Sequence, residues 1–313
     1  MEKTKTREAN VSEAARPQQA PVANGSLIPE PLQTYGVGYL FHYHPTYYRF
    51  FEEFTAIGGE VDMYETLALH FMNDPHAIKG FAEKLGKPLT LHSASYGLGN
   101  VERPAKKVTD KIQLQAKLSN AAYIGEHMAF TGTTDHYSGV FLQPLGTDEQ
   151  TQVLINNIKE AKKESVCPLI IENPSQYYKE VGRRIGQQLS EVSKEADVGI
   201  LLSLSNIYIS DKNYVQDRDR FLADLPLERV RQLHLICNNH QEESMPGNKK
   251  MQDEQRWMLR TMEELQKRPE FKPASVIFEL EAMTSVMAEP QRLKDFVEMA
   301  KDLFYKKNIN QFN

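Results

Sequence analysis

The sequence predicts a (β/α)8 TIM barrel, and three observations support this prediction. Short apolar runs alternate with helix-like runs along the chain, and this alternation is typical of a parallel sheet. There are eight such units in roughly 280 residues, close to the about 250 residues of a typical closed barrel. Neither GxGxxG after the first strand nor GxxxxGK[ST] occurs, which disfavours the competing doubly wound nucleotide-binding sheet.

Each predicted strand is a short apolar run, usually bounded by a polar or glycine-containing turn. In chain order the strands span 35–41, 61–69, 89–91, 121–130, 168–171, 198–204, 230–236 and 275–280.

The predicted helices carry recognisable start and stop signals. Pro45 lies at the start of the first helix and Gly58-Gly59 end it, while Asp148 and Glu149 favour the helix dipole in the first turn of another. The predicted helices span 45–57, 74–85, 110–120, 147–164, 175–196, 215–223, 251–266 and 290–305.

The N-terminal segment differs from the rest of the chain. Residues 1–33 contain few large apolar side chains, so they cannot bury enough surface to offset the entropy of ordering. We therefore predict a disordered tail at 1–33 and a barrel at 34–313, which is also the catalytic domain.

Composition excludes several classes of protein. The chain is 40% hydrophobic and 25% charged, with a net charge of −5, so a broad attraction to nucleic acid or to anionic membranes is not expected. No apolar run approaches the roughly 20 residues of a transmembrane helix, and no secretory signal is evident. Cys167 and Cys237 form no CxxC pair. A cytoplasmic location is the natural expectation.

Polar residues end the apolar runs, and in a barrel all these ends converge on one mouth. Carboxylates and imidazoles are ligands of iron, zinc and manganese, and a site without thiolates is typical of an open, reactive centre. More such groups occur than one ion needs, which suits two or three metals sharing a bridging glutamate. The predicted ligands are His70, His92, Glu126, Asn173, His234 and Glu279.

Side-chain alternation along a strand forces a choice at two positions. We predict that Glu126 faces the mouth and that His127 supports it, because a buried carboxylate is costly unless it is paired or metal-bound. Asn173 is likewise predicted to face the mouth, with Glu172 supporting it. Taken singly, His70 and His92 are equally compatible with hydrogen-bonded core or loop histidines.

The motifs ALHFM, LTLHSASYGLG, GEHMAF, IIENPSQYY, SNIYIS, LHLI and FELE occur in this order. Together they resemble the multinuclear non-haem iron oxidases known as DUF692, which are related to the methanobactin-biosynthesis oxidase subunit. GEHMAF and IENPS are the most specific matches. The resemblance implies a barrel with two or three irons that uses dioxygen to modify a side chain, often cysteine, of a ribosomally made peptide. It also implies a small partner protein that presents the peptide.

This chain departs from the family pattern at three places. Ser203 stands where the family has Asp, and the usual D-x-H is replaced by 246–248. HLICNNH replaces HLAGH, so the second histidine is either replaced by Asn238 or displaced to His240. These losses imply two ions rather than three. The resemblance makes Glu126 and His234 the catalytic residues, with Asn206 and His240 supporting the site or contacting substrate.

Two alternatives stay open at this point. One is a xylose-isomerase or apurinic-endonuclease type of metal-dependent barrel, although an endonuclease should carry a basic face for phosphates. The other is a degenerate barrel that binds a peptide or partner without catalysis.

Overall fold

The computed structural model describes residues 33–133, 136–213, 217–237, 249–280 and 289–309. The predicted tail at 1–33 therefore lies, except for its last residue, outside the described residues. So do His240 and the segment 246–248.

Eight parallel strands close into a barrel, which confirms the predicted fold. The barrel strands are β1 Gly36–Leu40, β2 Met63–Leu67, β3 Leu89–Ser93, β4 Ile124–His127, β7 Leu169–Glu172, β8 Gly199–Ser203, β9 Val230–Ile236 and β10 Ser275–Glu279. Neighbouring strands around the barrel follow the order β1-β10-β9-β8-β7-β4-β3-β2.

Helices between the strands surround the barrel. Within the described residues they are α1 Pro45–Ala56, α2 Ala77–Leu85, α3 Lys106–Ser119, α4 Asp148–Glu164, α5 Ile185–Glu195, α6 Leu204–Lys212, α7 Arg218–Asp224, α8 Lys249–Gln266 and α9 Pro290–Ile309. In this part of the chain, none of the helices is both long and apolar enough to cross a membrane.

A short hairpin follows β4, where the sequence analysis predicted no element between the strand at 121–130 and the helix at 147–164. Strands β5 Phe130–Thr133 and β6 His136–Leu142 pair antiparallel. The predicted strand at 121–130 is thus divided between β4 and this hairpin, which carries Phe141 to the barrel mouth.

Two predicted elements have different limits in the structure. The helix expected at 175–196 begins only at Ile185, because the side chain of Gln143 accepts hydrogen bonds from the backbone N–H groups of Tyr177 and Tyr178 and holds this segment as a loop. Residues after β8 form α6 instead of extended chain, since Ser203 caps that helix by accepting from the N–H of Asn206.

Strand alternation divides the buried residues into two sets. In β7, Leu169 and Ile171 pack in the large core that strands and helices share, whereas Ile170 packs with Tyr123 and Leu201 in a separate small cluster. This smaller cluster lies on the opposite face of the strands, toward the barrel interior. Because alternate residues share a face, Glu172 points inward together with Ile170.

Candidate metal centre

Six titratable side chains converge inside the mouth of the barrel. They form three overlapping groups, and within each group the potential ligand atoms all lie within 4.8 Å of one another. The six residues are Glu65, His92, His127, Glu172, His234 and Glu279.

Glu172, His92 and His234 each belong to two of the groups, and Glu172 is the only carboxylate among these three. Its Oε2 lies 3.0 Å from Nδ1 of His127 and 3.4 Å from Nε2 of His92. Its Oε1 lies 3.7 Å from Nδ1 of His234, which is itself 3.4 Å from Oε1 of Glu279. The carboxylate of Glu172 therefore separates a pair of histidines from a His–Glu pair and faces both.

His92 reaches the centre because a neighbouring position has no side chain. Its Nε2 lies 3.0 Å from Nε2 of His127, while a Cβ atom added at Gly125 would be only 2.9 Å from the other ring nitrogen, Nδ1. Glycine at 125 therefore leaves the space that the imidazole ring of His92 occupies.

Glu65 lies on the side of His234 that faces away from Glu279. Its Oε1 is 2.8 Å from Nε2 of His234, and its Oε2 accepts hydrogen bonds from Thr90 and Gln232. Both Glu65 and His234 are completely buried. The third group, which consists of Glu65, His92 and His234, is therefore deeper than the other two.

The charges of these residues support one another. Burial opposes ionisation of Glu172, but His127 and His234 outweigh it and hold the pKa of this carboxyl well below 4.5. Burial acts to lower the pKa of His234, yet Glu65 and Glu279 raise it well above 6.5. In His127 the same opposition, with Glu172 as the main counter-charge, leaves the pKa raised.

His92 and Glu65 respond differently to the same surroundings. Burial and the proximity of His127 lower the pKa of His92, which favours the neutral form of its ring. Burial acts to raise the pKa of Glu65, but His234 outweighs it and the pKa is lowered. The centre thus offers an ionised carboxylate beside a neutral imidazole, which is a suitable donor set for a divalent cation.

Several atoms in the centre are buried without a hydrogen bond. Oε1 of Glu65, Oε2 of Glu172 and Nδ1 of His234 have no hydrogen-bond partner within the described part of the chain. They lie at ion-pair distances from their neighbours, but these contacts do not meet hydrogen-bond geometry. Since orphaned buried polar atoms are costly, the arrangement fits a metal ion that would satisfy them.

A cavity of about 390 Å³ opens above the centre. His92, His127 and Glu279 form its polar part, together with His42. The remaining lining residues are apolar, namely Leu40, Leu67, Leu69, Ala94, Phe141, Ile236 and Leu280. The mouth therefore combines a polar metal-type centre with an apolar wall.

The prediction that Glu126 faces the mouth is wrong. Glu126 shares a strand face with Ile124, which packs in the core between strands and helices. Its carboxylate accepts hydrogen bonds from the backbone N–H groups of Ser95, Tyr96 and His127. Burial, as the largest influence, raises its pKa to about 7. His127, predicted only to support the site, is the residue of this pair that enters it.

The same reversal occurs in β7, where Glu172 enters the centre in place of Asn173. The amide of Asn173 instead bonds the backbone of Ser203 through both its nitrogen and its oxygen. Asn206 contacts a residue of the centre from outside it, since its Nδ2 donates a hydrogen bond to Oε1 of Glu172 at 3.1 Å. Sequence alone could not decide these two choices, because both faces of a parallel barrel strand are buried.

The remaining predicted ligands have different positions. His234 and Glu279 belong to the described groups, as does His92. His70 does not, because it lies in a 3-10 turn after β2 and its Nε2 is 2.9 Å from Nδ1 of His42. His42 is buried at the rim of the mouth.

Glu65 is the site residue that the sequence analysis missed. It is the middle residue of the five that form β2, Met63–Leu67. A carboxylate in the middle of such a run is costly unless it is paired. The sequence contains that signal, but the predicted ligands were chosen only among residues at strand ends.

The fold and the convergent His/Glu groups define a (β/α)8 barrel with a candidate metal centre at its mouth. The profile of the family described as RiPP precursor modification enzyme MbnB/TglH/ChrH matches residues 41–298. The chain belongs to this family, which confirms the resemblance seen in its motifs.

Curated relatives are similar to this chain in sequence, and a solved structure is similar to it in fold. A UPF0276 protein of Caulobacter vibrioides is 26% identical over 220 residues, covering 68% of this chain and 76% of that protein. Another, from Anaeromyxobacter sp., is 26% identical over 194 residues, covering 60% of this chain and 68% of that protein. The structure of an L-ribulose 3-epimerase has a TM-score of 0.52 at 10% identity and covers 90% of this chain and 97% of its own, so it is similar in fold.

Proposed function

We propose that this protein is an iron-dependent oxidase that binds two metal ions and modifies a side chain, a cysteine, of a ribosomally made peptide. The observation that carries the proposal is the position of Glu172 between the two groups of the centre, His92–His127 on one side and His234–Glu279 on the other. A carboxylate with one oxygen facing each group is suited to bridge two cations.

The donor set supports this assignment. The centre holds three imidazoles and three carboxylates, and it contains no thiolate among the described residues. Histidine nitrogen and carboxylate oxygen are ligands of ferrous iron, and they also bind zinc and manganese. Iron would supply the capacity to bind dioxygen, which is the oxidant of the proposed reaction and is reduced as the peptide side chain is oxidised.

The chain's own residues would hold the ions and shape the access to them. His92, His127 and Glu172 would hold one ion, and Glu172, His234 and Glu279 the other. The side chain of Glu279 is 30% exposed, whereas that of His127, the most exposed ligand of the first position, is 15% exposed, so the second position is the more accessible to an incoming side chain. The apolar wall of the cavity would exclude water around it.

The composition of the cavity lining also helps to distinguish between the alternative functions. Seven of the eleven residues that line the cavity are apolar, and none of the eleven is Lys or Arg. A phosphate-bearing or nucleic-acid substrate would need cationic partners there, and a sugar would need many hydrogen-bond partners. An uncharged side chain of a peptide fits this lining better, and we propose that a small partner protein presents the peptide.

The test is to purify the protein without oxygen, supply ferrous iron, and measure the iron content. The loaded protein is then mixed with oxygen and with a short cysteine-containing peptide encoded beside its gene, with and without the neighbouring small protein. We expect about two irons per chain and an oxygen-dependent mass change on the peptide. Iron uptake with no mass change would contradict the oxidase, and no uptake would favour a binding protein without catalysis.

A matched control separates peptide binding from metal binding. Leu69 lines the cavity and is 67% exposed, so Leu69→Asp should fold and keep its iron. A charge at this position should disfavour an apolar peptide segment, and modification should slow mainly through a higher KM. If Leu69→Asp instead lost iron, the cavity and the centre could not be treated as separate features.

A further inference from the structure

We propose that Glu65 is a positioning residue for His234, and that it commits this histidine to bind metal through Nδ1 and not through Nε2. The inference rests on the metal-binding part of the proposed function. It goes beyond that proposal by giving one of the three groups a different role: Glu65 would contact a ligand without being a ligand itself.

The two nitrogens of His234 have different surroundings. Nε2 is flanked by two protein atoms, Oε1 of Glu65 at 2.8 Å and Nε2 of Gln232 at 3.0 Å. Nδ1 has no hydrogen-bond partner in the described part of the chain and faces Glu172 and Glu279. Protein groups therefore crowd one side of the ring, while the other side faces the carboxylates that would share an ion.

Glu65 is itself held in place. Its Oε2 accepts hydrogen bonds from the hydroxyl of Thr90 and the amide of Gln232. The amide oxygen of Gln232 accepts in turn from the hydroxyl of Ser275 at 3.0 Å, so its amino group must face Glu65. All four of these residues are buried. The carboxylate is thus fixed below the ring before any ion arrives.

A metal-bound histidine commonly donates its second ring N–H to a carboxylate, which fixes the ring and strengthens the ligand. Glu65 would accept such a bond from Nε2–H after a small rotation of the ring, which also has to separate Nε2 from the amino group of Gln232, because two donors cannot share a hydrogen bond. The free Oε1 of Glu65 would then be satisfied by this proton, and the free Nδ1 of His234 by the metal. Both orphaned atoms find partners in one arrangement.

This assignment also limits the number of ions. A third ion in the deep group would need nitrogens that are already committed, because one imidazole lone pair binds one ion. His92 reaches the centre through Nε2, which faces His127 and Glu172, and Nε2 of His234 faces Glu65. The six residues consequently provide two positions, with Glu65 outside both.

The test uses zinc alone, without peptide or oxygen. Protein labelled with ¹⁵N in its histidines is loaded with Zn²⁺, and the tautomer of each ring is read by NMR, with His234→Gln to assign the signals. We expect about two zinc ions per chain and a His234 ring that is protonated at Nε2 and metal-bound at Nδ1. A zinc-bound Nε2, or a third tightly held zinc, would overturn the inference.

Two variants complete the experiment. Glu65→Gln should still take up two zinc ions at saturation, but with affinity about 10- to 100-fold weaker, as is usual when such a supporting carboxylate is removed. Glu279→Gln, which alters a proposed ligand, should selectively weaken one ion and leave the Nε2 proton of His234 in place. Loss of one ion at saturation in Glu65→Gln, or unchanged affinity, would refute the positioning role.

The outcomes separate this inference from the proposed function. Wild-type protein that binds no zinc would overturn the inference together with the metal part of the function. Zinc binding with the expected tautomer, but without iron-dependent peptide oxidation, would leave the inference standing and refute only the oxidase.

Discussion

Replacing Glu172 with Gln should empty most of the metal centre while leaving the barrel folded. The change keeps the shape of the side chain but removes the only charge that belongs to both mouth groups, His92–His127–Glu172 and Glu172–His234–Glu279. Neither group keeps more than one carboxylate afterwards. We therefore expect the iron content to fall from about two ions per chain to fewer than one.

The size of the effect follows from distance and burial. The oxygens of Glu172 lie 3.0 to 3.7 Å from the nitrogens of His127 and His234 that would share its ions. Two unit charges about 4 Å apart in a partly buried site interact by about 4 kcal/mol. A loss of that size raises the dissociation constant of each ion by about three orders of magnitude.

The assay is iron analysis after anaerobic dialysis against a fixed concentration of free ferrous iron, with circular dichroism as the check of folding. Glu126→Gln is the matched control, because this carboxylate is also fully buried, accepts hydrogen bonds from the backbone N–H groups of Tyr96 and His127, and lies outside the described metal groups. It should keep its iron, even though an amide facing the N–H of His127 costs some stability. Iron lost in Glu126→Gln but kept in Glu172→Gln would refute the placement of the centre.

Three further predictions concern stability. Metal should stabilise the fold by about 2.7 kcal/mol per ion at a free concentration 100-fold above its Kd. Treatment with a chelator should therefore lower Tm by several degrees in calorimetry, and an unchanged Tm would contradict a buried metal centre. Asp197 pairs with Lys162 and Arg229, and its hydrogen bond with Lys162 is the main reason that its pKa is lowered. A lowered carboxyl pKa stabilises the fold at pH values above the ordinary pKa of 3.8, and this stability is lost as the pH falls. Asp197→Asn should therefore cost about 0.2–1 kcal/mol per pair in urea unfolding at neutral pH, and progressively less as the pH falls below 3.8 and through the lowered pKa. Because Asn tolerates the positive φ of 51° at this position, a cost that stayed the same at low pH would point to backbone strain instead. A truncated chain starting at Ile28 should keep the Tm of the full chain, and a fall of several degrees would show that the N-terminal segment packs on the barrel.

The fold could be predicted from the sequence because its signals are local. Alternating apolar runs and capped helices indicate a parallel α/β chain, and the number of units indicates closure, as the eight barrel strands confirm. Local signals failed where a distant group competed with them. Gln143 holds Tyr177 and Tyr178 in a loop that sequence periodicity assigned to a helix.

The sequence also determined the kind of centre, since the residues that end the strands are histidines and carboxylates, and it determined the family through motifs such as GEHMAF and IENPS. It could not determine which member of each neighbouring pair enters the mouth. Both faces of a barrel strand are buried, so hydrophobicity does not distinguish Glu126 from His127 or Glu172 from Asn173. Strand register decides this, because a shift of one residue exchanges the two faces. The tertiary structure alone therefore brought His127 and Glu172 into the centre, and placed Glu65 beneath His234.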